Sequence, residues 1–159
     1  MWKSTKIVAL DQHMDSITVA FADGGRRLPQ LHGTIPSTPS AVAKLARRLD
    51  DGRTQLRFCY EAGPCGYGLY RQLTTMGYEC LVVAPSMTPR RPGERIKTDR
   101  RDALTLARYH RSGNLVAVWV PDEEQEATWC VVEKISSTPN VGCGSGSTPF
   151  CCATAVFTR

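Results

Sequence analysis

The sequence predicts an α/β domain in which helices flank a mixed sheet. Three observations carry that prediction. The chain opens on short apolar runs divided by turn residues, which read as an antiparallel meander. It then alternates helical and extended patterns. Two of the extended runs, Leu56–Tyr60 and Glu79–Ala84, are continuously apolar, as strands covered on both faces are.

The first run, Lys6–Leu10, ends in Asp11, and the second, Ile17–Ala22, ends in the turn Asp23-Gly24-Gly25. A third, Arg27–Ile35, is broken by Pro29 and Gly33. Thr38 or Ser37 can cap the helix that follows, and Pro39 suits its first turn. Val42, Leu45, Ala46 and Leu49 give that helix an apolar face, and Lys44, Arg47 and Arg48 a basic one. The strand Leu56–Tyr60 ends in Glu61, and Ala62-Gly63-Pro64 turns into a helix over about Cys65–Met76, which Gly77 stops. After Glu79–Ala84, the stretch from Ser86 to Thr98 is rich in proline and arginine, with no core pattern, and reads as a mobile basic loop. A helix opens at Asp99 and ends near Gly113, and Leu115–Val120 forms a last short strand or extended arm.

Composition narrows the function. With 159 residues and 42% hydrophobic content the chain can bury a core of ordinary size, and its net charge of +5 suits nucleic acid without singling it out. No apolar run approaches a membrane span and the N-terminus lacks the apolar stretch of a signal peptide, so a cytoplasmic protein with no membrane partner is expected. Cys59, Cys65 and Cys80 sit in apolar segments as small core residues. No CxxC pair occurs and no histidine follows His110, which argues against a zinc site.

The chemistry centres on Lys97-Thr98-Asp99-Arg100-Arg101-Asp102-Ala103. Asp99 and Asp102, three apart at a helix start, share one helical face. Arg90, Arg91, Arg95, Lys97, Arg100 and Arg101 crowd round them. Two readings stand for this stretch alone. Acids at a helix N-terminus can serve the helix dipole. Paired acids can also hold a divalent cation while arginines hold phosphates, as an enzyme acting on phosphodiesters requires. Asp11 and Glu61 add two more acids at predicted strand ends, where sites form in open sheets.

The order of elements, with acids on the first strand, the fourth strand and a late helix, resembles the ribonuclease-H-like fold of the RuvC resolvase type. Leu10-Asp11, Tyr60-Glu61-Ala62-Gly63-Pro64-Cys65-Gly66-Tyr67-Gly68-Leu69-Tyr70, Val83-Ala84-Pro85-Ser86, the segment round Asp99 and Val118-Trp119-Val120-Pro121 make the resemblance closer. They are similar to the N-terminal domain of the DEDD-type insertion-sequence transposases, over about residues 5 to 127. The segments round Glu61 and Asp99 are the specific ones. The resemblance implies that Asp11, Glu61, Asp99 and Asp102 are catalytic carboxylates binding Mg2+ or Mn2+. It also implies DNA and the element's own structured guide RNA as partners, a homo-oligomer in the full-length family, and a second domain that supplies a serine nucleophile.

The chain departs from the family after residue 127. Residues 128–159 are rich in Cys, Gly, Ser and Thr without helical or strand period, and are expected to form an aberrant, disordered tail to a domain spanning 1–127. The family continues there with a charged helix rich in Arg and Gln. Back-translated with G/C-rich codons and read from the last base of the Ala127 codon, the tail begins Asp-Leu-Val-Arg-Gly-Arg-Glu. A frameshift near residue 127 and the loss of the serine domain are therefore expected, which gene sequencing checks.

The sequence thus points to a DNA transposase fragment with a four-carboxylate metal site. Two alternatives stay open: a catalytically incompetent nucleic-acid-binding remnant, and a nuclease of the Holliday-junction-resolvase kind. An actin-like sugar kinase also begins with a strand ending in Asp. It needs a glycine-rich phosphate turn next, and Gln12-His13-Met14-Asp15 contains no glycine.

Overall fold

The computed structural model describes residues 4–63, 65–85, 99–122 and 124–125. Its five strands are β1 (Ser4–Gln12), β2 (Ser16–Asp23), β3 (Gln30–Pro36), β4 (Thr54–Glu61) and β5 (Glu79–Val83). The helices are α1 (Pro39–Leu49), α2 (Gly68–Thr75) and α3 (Asp99–Arg111). The strands form one sheet in the order β3-β2-β1-β4-β5. The first three strands pair antiparallel, and β1, β4 and β5 run parallel. This is the mixed sheet with flanking helices of a ribonuclease-H-like fold.

Alternation along the strands divides the core in two. Val8, Leu10, Val19, Phe58 and Tyr60 face α1 and α2. Ile7, Ala9, Ala20, Ala22 and Cys59 face α3, which answers with Ala103, Leu106 and Ala107. Small residues dominate the second interface on both sides, so α3 can lie close against β1 and β2. Arg111, at its far end, donates hydrogen bonds to the carbonyls of Gly25 (3.2 Å) and Arg27 in the turn after β2.

Local chemistry explains the boundaries. Thr38 caps α1: its Oγ1 accepts a hydrogen bond from Ala41 N at 3.3 Å, and Pro39 occupies the first turn. In β3, the pairing with β2 shifts between Val19 and Ala20, and Gly33 takes a φ of 134° at that irregularity. Two predicted elements differ in extent. The second helix begins at Gly68, three residues later than its composition suggests, because residues 65–67 form turns, Gly66 at a φ of 69°. The segment Leu115–Val120 makes only one isolated antiparallel bridge, Ala117 to Val83, and Val118 N donates to Val82 O at 2.8 Å. The extended arm is the better description. The Ser86–Thr98 stretch and the tail lie outside the described residues.

Candidate metal and nucleic-acid site

The alternation that builds the core also aims the acids. On β1, Ile7 and Ala9 lie under α3, so Asp11 emerges on the same side. On β4, Cys59 lies under α3, and Glu61, two residues on, follows it. Leu10 and Tyr60 are partners in parallel register, so Asp11 and Glu61 each stand one step beyond that pair, at the carboxyl ends of adjacent strands. Burial pushes the Cys59 thiol well up, and the charge of Glu61 adds to the same shift.

Helix α3 brings the other two. Asp99 lies four residues before Ala103 and Asp102 four before Leu106, so both acids prolong the stripe that packs on the sheet. Asp102 is half-buried and Asp99 is exposed.

The acids act on one another. Burial raises the pKa of the Asp11 carboxyl above its ordinary value, and Asp102 and Asp99 push it further in that direction. His13 opposes them, through its charge and a hydrogen bond. His13 Nε2 lies 3.2 Å from Asp11 Oδ2 and 3.4 Å from Asp99 Oδ1. Donor atoms of Asp11, His13 and Asp99 all fall within 4.8 Å of one another. Carboxylate oxygens gathered where burial disfavours negative charge fit a hard divalent cation, which takes oxygen ligands and supplies the missing positive charge. Glu61 and Asp102 stand on the same side of the sheet, outside that tightest group of three.

Residues 8–128 match the transposase family of the IS110 DEDD type. The chain belongs to that family. It is 47% identical over 110 residues to y4qE of Sinorhizobium fredii, described as a putative transposase, covering 69% of this chain and 28% of that protein. It is 35% identical over 121 residues to the transposase for insertion sequence element IS1533 of Leptospira borgpetersenii, covering 76% of this chain and 35% of that protein. The chain therefore spans about a third or less of these relatives' length. A solved structure, the Pelota protein of Thermoplasma acidophilum, overlaps 84% of this chain and 42% of its own, at 14% identity and a TM-score of 0.35; that likeness carries no argument.

Membership of the DEDD transposase family implies use of a divalent metal, and the acids above are where this chain can hold one. Of the basic residues singled out in the sequence, Arg100 and Arg101 are exposed on the first turn of α3, beside Asp99 and Asp102. Arg90, Arg91, Arg95 and Lys97 lie outside the described residues. Tyr67 is buried in the core and Tyr70 is partly buried against it, so both serve packing. No helix among the described residues is long and apolar enough to cross a membrane.

Two residues of the site carry no clear signal in the sequence. His13 reads as a turn residue, and nothing local to it announces that Asp99 arrives beside it. Thr18 is the register partner of Asp11 and is 3% exposed, a buried hydroxyl residue among the apolar core of the described residues. Its hydroxyl lies 3.5 Å from that of Thr34 on β3. The available hint is the polar Thr18 inside the apolar run Ile17–Ala22, in step with Ala20 and Ala22.

Proposed function

We propose that this chain is the RuvC-like catalytic domain of a DNA transposase, spanning residues 1–127, and that Asp11, Glu61, Asp99 and Asp102 hold one or two Mg2+ or Mn2+ ions. The observation that supports it most is the convergence of acids from β1, β4 and α3 on one side of the sheet, at the carboxyl ends of parallel strands. When bound, the metal polarises a scissile phosphate and stabilises the attacking and leaving oxygens. The chain's own residues do the rest. The four carboxylates fix the cation's position. The small residues beneath α3 keep Asp11 and the helix acids in close range. Arg100 and Arg101, with Arg90, Arg91, Arg95 and Lys97, hold the nucleic-acid backbone by phosphate contacts, which position a strand without reading its sequence. The family resemblance extends this to the element's guide RNA and to an oligomeric assembly.

A second reading, nucleic-acid binding without strand chemistry, is favoured by the exposed Arg100 and Arg101. Incubating the chain with labelled linear duplex and with a four-way junction, in Mg2+, in Mn2+ and in chelator, separates the readings. Tighter DNA binding with the cation, lost when the four acids become Asn or Gln, supports the transposase domain. Binding indifferent to cation and acids leaves a plain nucleic-acid binder. Cutting of the junction by the chain alone makes it a resolvase-like nuclease.

A further inference from the structure

Beside the four acids, His13 is placed as no bystander would be. It follows Asp11 by two residues, just past the end of β1, and its imidazole reaches both Asp11 and Asp99. Its backbone is held in the hairpin turn, where His13 N donates to Ser16 O at 2.8 Å. The neighbouring turn residue Asp15 is held as well, its carbonyl accepting from Ser37 N at 3.0 Å. The imidazole is half-exposed and lies within reach of both Asp11 and Asp99.

We propose that His13 is a nitrogen ligand of the divalent cation, and that it turns the site's preference from magnesium toward manganese. The inference rests on the four-acid reading above and names a fifth protein ligand for the same site. Ligand bonds of about 2.1 Å at right angles put neighbouring donors about 3 Å apart. The observed separations, 3.2 Å to Asp11 Oδ2 and 3.4 Å to Asp99 Oδ1, are hydrogen-bond contacts near that spacing, and the three donor atoms together lie within 4.8 Å of one another, close enough to share one cation. A cation between the three atoms takes the place of the proton that Nε2 would otherwise share with the carboxylates.

The choice of metal follows from donor chemistry. Magnesium demands oxygen and gives up its waters reluctantly. Manganese, the weakest binder of the first-row series, accepts the same carboxylates but is larger and sheds its waters more readily, so it can take an imidazole nitrogen where magnesium keeps a water. A neutral imidazole replaces one water without adding negative charge, so it strengthens manganese binding and leaves magnesium binding little changed. A histidine that only oriented the two carboxylates through its N–H would affect both cations alike.

The test uses the full 159-residue chain. Mg2+ and Mn2+ are titrated separately, by calorimetry, into the wild type, His13→Ala and the Asp99→Asn, Asp102→Asn double variant. Pulsed electron paramagnetic resonance on the Mn2+-loaded wild type looks for coupling to an imidazole nitrogen. The proposal expects that nitrogen coupling, and a Mn2+ to Mg2+ affinity ratio that falls about tenfold in His13→Ala, a loss of the size ligand-shell changes produce. Cation binding that needs Asp99 and Asp102, with an unchanged ratio and no nitrogen coupling, overturns the role of His13 and leaves the four-acid site standing. No cation bound by the wild type overturns both. The coupling is read on the wild type, so it decides even where His13→Ala folds poorly.

Discussion

Asp11 and Glu61 leave the sheet side by side, each one residue past the Leu10–Tyr60 pair that ties β1 to β4 in parallel. Parallel register makes this possible: equal steps along adjacent strands end level, and the same alternation turns both acids toward α3. The helix then needs only to start at the right height to add Asp99 and Asp102. Like charges so assembled repel in the metal-free chain, and the following outcomes rest on that arrangement.

Asp102→Asn removes a negative charge whose field raises the Asp11 pKa. With its folded pKa above the unfolded value, Asp11 contributes stability that is full below the ordinary carboxylate range and lost as pH rises through the raised value. In metal-free solution the variant therefore loses less on going to neutral pH. It is expected to be more stable there, with the Asp11 carboxyl titrating lower. Denaturation across pH and carboxyl NMR measure the two effects.

Ala103→Leu tests the close approach of α3. Ala103 is fully buried between the helix and the sheet, one residue from Asp102. Added volume there costs roughly 1–3 kcal/mol of stability. It also lifts the helix acids away from Asp11 without removing any carboxylate. Weaker cation binding in a chain that still folds, read by calorimetry and circular dichroism, is the expected result.

The second core and its polar end are only partly legible in the sequence. The apolar runs and the capping residues Thr38 and Pro39 are local signals, and they mark the strands and α1. The acids are visible as element ends because Asp11, Glu61 and Asp99 each interrupt or open a pattern. The role of His13 is not visible. Its neighbour Asp99 lies far along the chain, and only the docking of α3 on Ala9, Ala20 and Ala22 brings them together. The start of α2 is hidden because Cys65, Gly66 and Tyr67 continue the helical spacing, while Gly66, at positive φ, turns the chain there instead.

Asp51 sets a pH dependence of a different sign. Its carboxylate accepts hydrogen bonds from Arg53 N at 2.9 Å, from Thr54 N at 2.7 Å and from Thr54 Oγ1 at 3.0 Å, just where β4 begins. These bonds, that from Arg53 N foremost, hold the carboxyl below its ordinary pKa. A depressed folded pKa gives stability that is present above the unfolded value of about 4 and lost as pH falls through the folded one. Urea midpoints at descending pH should fall more steeply for the wild type than for Asp51→Ala.

Arg100→Ala with Arg101→Ala, which removes two exposed side chains, should weaken DNA binding in a chain whose circular dichroism stays that of the folded wild type. Removing one cation from a phosphate reduces the slope of log affinity against log salt by about 0.9. Fluorescence anisotropy over a range of salt concentrations reads this slope. An unchanged slope would place the DNA-binding surface elsewhere.

The most direct measurement is a calorimetric titration of Mg2+ or Mn2+ into the purified chain, beside the Asp99→Asn, Asp102→Asn double variant. The four-acid account predicts that the wild type binds the cation and the double variant does not, with both chains giving the same circular dichroism. A wild type that binds neither cation, or a double variant that binds as well as the wild type, would contradict it.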